Sequence, residues 1–303
     1  MKNLFFILLM VVVATGCKNE KTTSEKLKVV TTTTMITDLV KNIGGDLIEV
    51  DGLMGAGVDP HLYKASEGDV NKLYNADILL YNGLHLEGKL VEVFEKMERT
   101  GTTQVALAEG LDKEGLIGSD YFASNYDPHV WFNIQYFKQF TAQVTATLSD
   151  KDPKNAAKYA ENEKNYIAQL TALEKMVQAK IATLPKEKRI LVTAHDAFNY
   201  FGKAYNFEVV GLQGLSTATE AGVQDVQRLS QFIIDNEVKA IFVESSVPRR
   251  TIEALQKSVQ SKGNEVKIGG SLYSDALGDP NTPEGTYIGM FTYNVTTIVN
   301  ELQ

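Results

Sequence analysis

Cysteine is almost missing from this chain, Cys17 being the only one. That excludes a disulfide framework and a multi-thiolate metal site. Positive charge is also scarce. Against 38 acidic residues stand 30 lysines and arginines, and the net charge of −8 disfavours a nucleic-acid partner. The one long apolar run, Leu4–Val13, is too short to span a bilayer. Several catalytic signatures are absent: there is no HExxH, no G-x-S-x-G, no P-loop and no G-x-G-x-x-G opening a helix. What remains, with 44% apolar and 22% charged residues in 303, is an ordinary globular composition with room for two lobes.

The N-terminal segment reads as a targeting signal. Lys2 supplies a short positive region and Leu4–Val13 an apolar one, followed by the small residues of "ATGC". This pattern resembles a bacterial lipobox, in which Cys17 becomes the acylated N-terminus. Residues 1–17 are then a lipoprotein signal peptide, Cys17 the lipidation site, and polar residues 18–26 a tether.

From Leu27 on, strand and helix patterns alternate. "LKVVTTTT", "LIEVDGLM", "ILLYNG" and "TQVALAE" read as strands, with helices between them. A second series starts near Arg189 with "RILVTAH", then "FEVVGLQ", "VKAIFVES" and "VKIGGSLY". This order predicts an α/β fold of two lobes, each a parallel sheet flanked by helices. Between them Tyr159, Tyr166, Leu170, Leu173, Val177 and Ile181 recur near helical spacing, bracketed by Pro153 and Pro185. One rigid helix of roughly 45 Å is expected, since no Gly or Pro interrupts it. The expected division is 27–150 for the first lobe, 151–186 for the linking helix and 187–303 for the second lobe.

The chemistry rests on four histidines, His61, His85, His129 and His195. Two occupy near-copies of one pattern, "VDPHLY" at Val58–Tyr63 and "YDPHVW" at Tyr126–Trp131. Proline fixes its own φ and restricts the residue before it, so Asp-Pro is a rigid lead for an imidazole. Asp59 or Asp127 is placed to serve as an outer partner. His61 follows the second strand, His129 the fourth, and His195 ends "RILVTAH"; ligands of open parallel sheets bind outside such carboxyl ends. His85, in "YNGLHLEGK", lacks the rigid lead. A fourth ligand from the second lobe has several candidates. Asp275 follows the last strand, Asp279 lies in a polar loop, and Glu220 and Glu244 are further carboxylates. Glu244 reads more simply as the ion-pair partner of Arg249 or Arg250.

Taken in order, the lipobox, the two "DPH" elements, "NGLHLEGK", "TAHDAF", "FVESSVPRRTIEAL" and "LYSDALG" resemble the zinc/manganese solute-binding lipoproteins of bacterial ABC transporters. The resemblance covers essentially the whole chain after the signal. It implies two α/β lobes joined by a single helix, with one metal buried between them. Its ligand positions fall on His61, His129, His195 and Asp275, and His85 becomes a nearby non-ligand. Zinc-dedicated members often carry a long His- and acid-rich loop; here Gly110–Asp127 is short and has no histidine. That argues against a strictly zinc-scavenging role.

The expected activity is capture of Zn2+ or Mn2+ as cargo, with no catalysis, because four protein ligands leave no open position for a substrate water. Expected partners are an ABC permease with its ATPase, and the membrane through the lipid anchor. The protein is expected to be a monomer, extracytoplasmic, facing the periplasm or the cell surface. Docking is expected to shift the loop of Asp275 or His195. The rival readings are a surface adhesin of the same family, a zinc hydrolase and a siderophore-type receptor.

Overall fold

The computed structural model describes residues 26–97, 101–120 and 122–303. The signal segment 1–17, Cys17 and nearly all of the tether lie outside the described residues. Among the described residues no helix is long and apolar enough to cross a membrane.

The first lobe opens with β1 (Leu27–Thr31) and α1 (Thr34–Gly44), followed by β2 (Ile48–Gly52) and α2 (Glu67–Tyr74). Next come β3 (Ile78–Tyr81), α3 (Val91–Met97), β4 (Thr103–Ala106) and α4 (Ile134–Lys151). Local chemistry sets several of these boundaries. Helix α1 stops at Gly45, whose φ of 52° suits a residue without Cβ. Helix α2 starts in a capping box: Ser66 Oγ accepts from the Asp69 N–H, and Asp69 accepts from the Ser66 N–H. Asn133 caps α4 by accepting from the Gln135 N–H.

Helix α5 (Ala156–Ala182) follows a 3-10 turn at Pro153–Asn155 and runs unbroken for 27 residues, roughly 40 Å. Its buried residues are the six picked out by periodicity, Tyr159 through Ile181. The second lobe contains β5 (Ile190–His195), α6 (Asn199–Tyr205), β6 (Glu208–Gln213), α7 (Val223–Asp235), β7 (Ala240–Glu244), α8 (Arg250–Ser261), β8 (Lys267–Leu272) and α9 (Tyr287–Leu302).

Both sheets are parallel, and both have the same winding: β2-β1-β3-β4 and β6-β5-β7-β8. The linking helix is more than a strut. It packs on α1 and α4 of the first lobe and on α9 of the second. One apolar core therefore runs from Leu39 and Ile43 through Leu170 and Val177 to Phe291 and Ile298. Smaller cores cover the outer faces of each sheet. The carboxyl ends of the two sheets face a common seam, and hydrogen bonds cross it. Thr34 Oγ1 accepts from the Leu277 N–H, Trp131 Nε1 donates to the Ser274 carbonyl, and Asp38 accepts from the Tyr287 N–H at the start of α9.

Candidate metal centre

Four side chains meet at this seam. His61 lies in the loop after β2, His129 just before the 3-10 turn Val130–Phe132, His195 at the end of β5 and Asp275 in the loop after β8. Each offers one donor atom, and the four atoms lie within 4.8 Å of one another. His61 Nε2 is 3.3 Å from His129 Nε2. Asp275 Oδ1 is 3.5 Å from His129 Nε2, and Oδ2 is 3.4 Å from His195 Nε2. A tetrahedron with bonds of 2.0–2.1 Å has edges of about 3.3–3.4 Å, and these three spacings come close to that within a cluster bounded by 4.8 Å. The residues are 5%, 0%, 0% and 1% exposed in that order, so the centre is closed to bulk water.

Two of the converging atoms, His195 Nε2 and Asp275 Oδ1, are buried without a hydrogen-bond partner. Unsatisfied buried polar atoms are rare in folded proteins and need a reason. Convergence on one point supplies it: an N/O donor set of three imidazoles and a carboxylate suits a divalent transition ion.

The surroundings fix each of the four side chains differently. In both Asp-Pro-His elements the aspartate Oδ1 accepts from the histidine N–H two residues on, at 2.8 Å for Asp59 and 2.9 Å for Asp127. There the copies diverge. Asp127 Oδ1 also reaches His129 Nδ1 at 2.7 Å, orienting that ring, while its Oδ2 accepts from Asn199 Nδ2 across the seam. Asp59 Oδ2 instead accepts from Thr217 Oγ1. His195 Nδ1 lies 2.6 Å from Glu244 Oε2, and Glu244 Oε1 accepts from the His195 N–H. Ser246 Oγ donates to Asp275 Oδ2.

Charge and burial act in opposite balance on His61 and His195. Burial, with the charges of His129 and His195 in support, pushes His61 down to about 3 against the pull of Asp275. Burial acts downward on His195 as well, but the carboxylates of Glu244 and Asp275 outweigh it and hold that imidazole well above its ordinary value. Burial alone would raise Asp275; the three histidines, His195 foremost, hold its carboxyl below the usual range instead.

The expected pairing of Glu244 with Arg249 or Arg250 is not found. Arg249 binds Glu253 at 2.9 Å and Arg250 reaches Glu220 at 3.4 Å, both on the surface, while Glu244 is buried behind His195. Glu220 and Asp279 are exposed and outside the cluster. His85 is exposed too, and Phe122 stands edge-on to both it and His61, each at 6.3 Å. Sequence reading missed the roles of Thr217, Asn199, Trp131 and Ser246. The position of Glu244 at the carboxyl end of the strand beside β5 was a usable signal for its role.

Two parallel α/β halves clasping a buried His3Asp cluster at the carboxyl ends of their strands define a cleft-type solute-binding protein. The comparisons with known proteins agree. The family model of the zinc-uptake complex component A, periplasmic (ZnuA), matches residues 29–301, and the chain belongs to that family. It is 45% identical to the manganese-binding lipoprotein MntA of Bacillus subtilis over 292 residues, covering 95% of each chain. It is 48% identical to the zinc-binding protein TroA of Treponema pallidum over 274 residues, covering 90% of this chain and 88% of that one. The solved structure of that periplasmic protein superposes with a TM-score of 0.89, covering 91% of this chain and 99% of the other.

Proposed function

We propose that this protein is the extracytoplasmic solute-binding component of an ABC importer. It captures Zn2+ or Mn2+ as cargo between its lobes, with His61, His129, His195 and Asp275 as the ligands. The convergence of four buried donor atoms within 4.8 Å carries the reading. Support for the ion classes comes from relatives named for manganese and for zinc. Three imidazoles favour zinc, and a carboxylate with two available oxygens accommodates manganese.

The proposed division keeps 27–150 and 187–303 as lobes and 151–186 as the link. Cys17 carries the lipid anchor, and the monomeric protein hands its ion to a permease driven by an ATPase. The role is binding rather than catalysis, because a closed four-donor site offers no position for a reacting water.

Single alanine replacement of His61, His129, His195 and Asp275, with metal content and affinity measured for both ions, tests the assignment. Each variant should lose at least about tenfold in affinity, the loss associated even with outer-shell groups. Wild-type affinity in the three histidine variants would refute the assignment.

A further inference from the structure

His61 is held differently from the other three ligands. His129 and His195 are each backed by a buried carboxylate at 2.7 and 2.6 Å. Asp275 is fixed by Ser246, and its loop is tied to the first lobe through Trp131 and Thr34. The His61 ring has no carboxylate hydrogen-bonded to it among the described residues; Asp59 touches only its backbone N–H. The free oxygen of Asp59 spans the seam to Thr217, which lies between β6 and α7 in the segment bounded by Gly214 and Gly222. Among the described residues, this is the one side-chain hydrogen bond that joins that segment to the first lobe.

A cavity of about 840 Å³ is lined in part by the same segment, through Gly214–Ser216 and Thr219–Ala221. Phe122, edge-on to His61, forms part of its wall, with Asp196, Glu220 and Asp225 around it. Arg228 stands beside Asp225 at 3.7 Å, Arg250 reaches Glu220 at 3.4 Å, and Asp196 Oδ1 accepts from the Gly211 N–H. The cavity gives the segment room to move.

We infer that the Asp59–Thr217 hydrogen bond is the clasp of this site, and that His61 is the first ligand to leave when the ion is released. Breaking the bond frees segment 214–222 and loosens the Asp59–His61 loop, and the ion passes Phe122 into the acidic cavity. This reverses the expectation that the loop of Asp275 or His195 moves: His195 is held within a strand, and Asp275 is anchored from both lobes. Asp59 and Thr217 are thus positioning residues. The inference rests on the metal-binding reading above.

The test uses Thr217→Val, which removes the hydroxyl and keeps the shape, and Thr217→Ser, which keeps the hydroxyl. Protein loaded with Zn2+ or Mn2+ is mixed with excess chelator in a stopped-flow instrument. Loss of one hydrogen bond to a charged group should speed release from Thr217→Val about tenfold. Thr217→Ser should stay within about twofold of wild type, since the bond is retained. Unchanged release from Thr217→Val overturns the clasp, as does equal acceleration in both variants, which would mean lost packing. Faster release from Ser246→Ala than from Thr217→Val would also overturn it, by showing that Asp275 opens first. Failure of the wild type to take up either ion defeats the metal-site reading itself. Normal loading with an unaffected Thr217→Val rate defeats the clasp alone.

Discussion

Replacing Glu244 by glutamine isolates the charge behind His195. Glutamine keeps an oxygen for the His195 N–H and nearly the same volume, but removes the negative charge 2.6 Å from Nδ1. Outer carboxylates of this kind contribute about 10–100-fold to metal affinity, or ~1.4–2.7 kcal/mol. Glu244 also favours the proton that competes with the ion for His195. Because that imidazole is held well above its ordinary value, an ion arriving near neutral pH must displace a proton from it. Affinity therefore rises with pH until the raised value is passed, and is lost as pH falls below it. Removing the charge lowers the imidazole and weakens the competing proton along with the ion. The Glu244→Gln deficit should be full at alkaline pH and shrink on acidification. Zinc competition against a chelator at about pH 6 and about pH 8.5 measures this, with proton release followed by an indicator dye. A deficit of equal size at both pH values, or none at the higher one, would refute the reasoning.

Other consequences reach the fold. Leu170→Ala in the linking helix should destabilise the protein by about 2–5 kcal/mol. Because that residue belongs to the core shared by both lobes, fluorescence of the single tryptophan and far-UV circular dichroism should still report one coincident transition; two separated transitions would contradict a shared core. Trp131→Phe strands the Ser274 carbonyl in the buried seam and should cost about 1–3 kcal/mol in chemical denaturation. An effect below about 0.5 kcal/mol would show that water or a neighbour replaces the indole there.

The sheets were readable because buried parallel strands leave continuous apolar runs such as Ile78–Tyr81, and the linking helix because its six buried residues keep one period. The histidines were readable because strand ends are where such sheets bind ligands, and proline marks a rigid approach. The polar loop around Asp279 already counted against it, and resemblance then settled the choice of Asp275; in the fold Asp275 is buried and Asp279 exposed. The partners that cross the seam left no local trace. Thr217 lies 158 residues from Asp59, and Ser274 lies 143 from Trp131; pairings of that kind are fixed by how the lobes meet, not by any nearby pattern. Glu244 was misassigned because arginines five and six positions on offered an obvious partner, while its actual partner sits on an adjacent strand.

The core threaded by α5 has a consequence for selectivity under the proposed function. Lobes that share one interior cannot swing widely apart, so His129, His195 and Asp275, each held from behind, are preorganised for the ion. Such preorganisation strengthens capture, because little remains to be ordered on binding. It also leaves the protein poorly equipped to refuse an ion that ranks higher in intrinsic affinity, since a fixed N/O cage follows the Irving–Williams order. Discrimination between ions then shifts from capture to departure: the ion held longest occupies the carrier, and the ion let go at the membrane is the one imported.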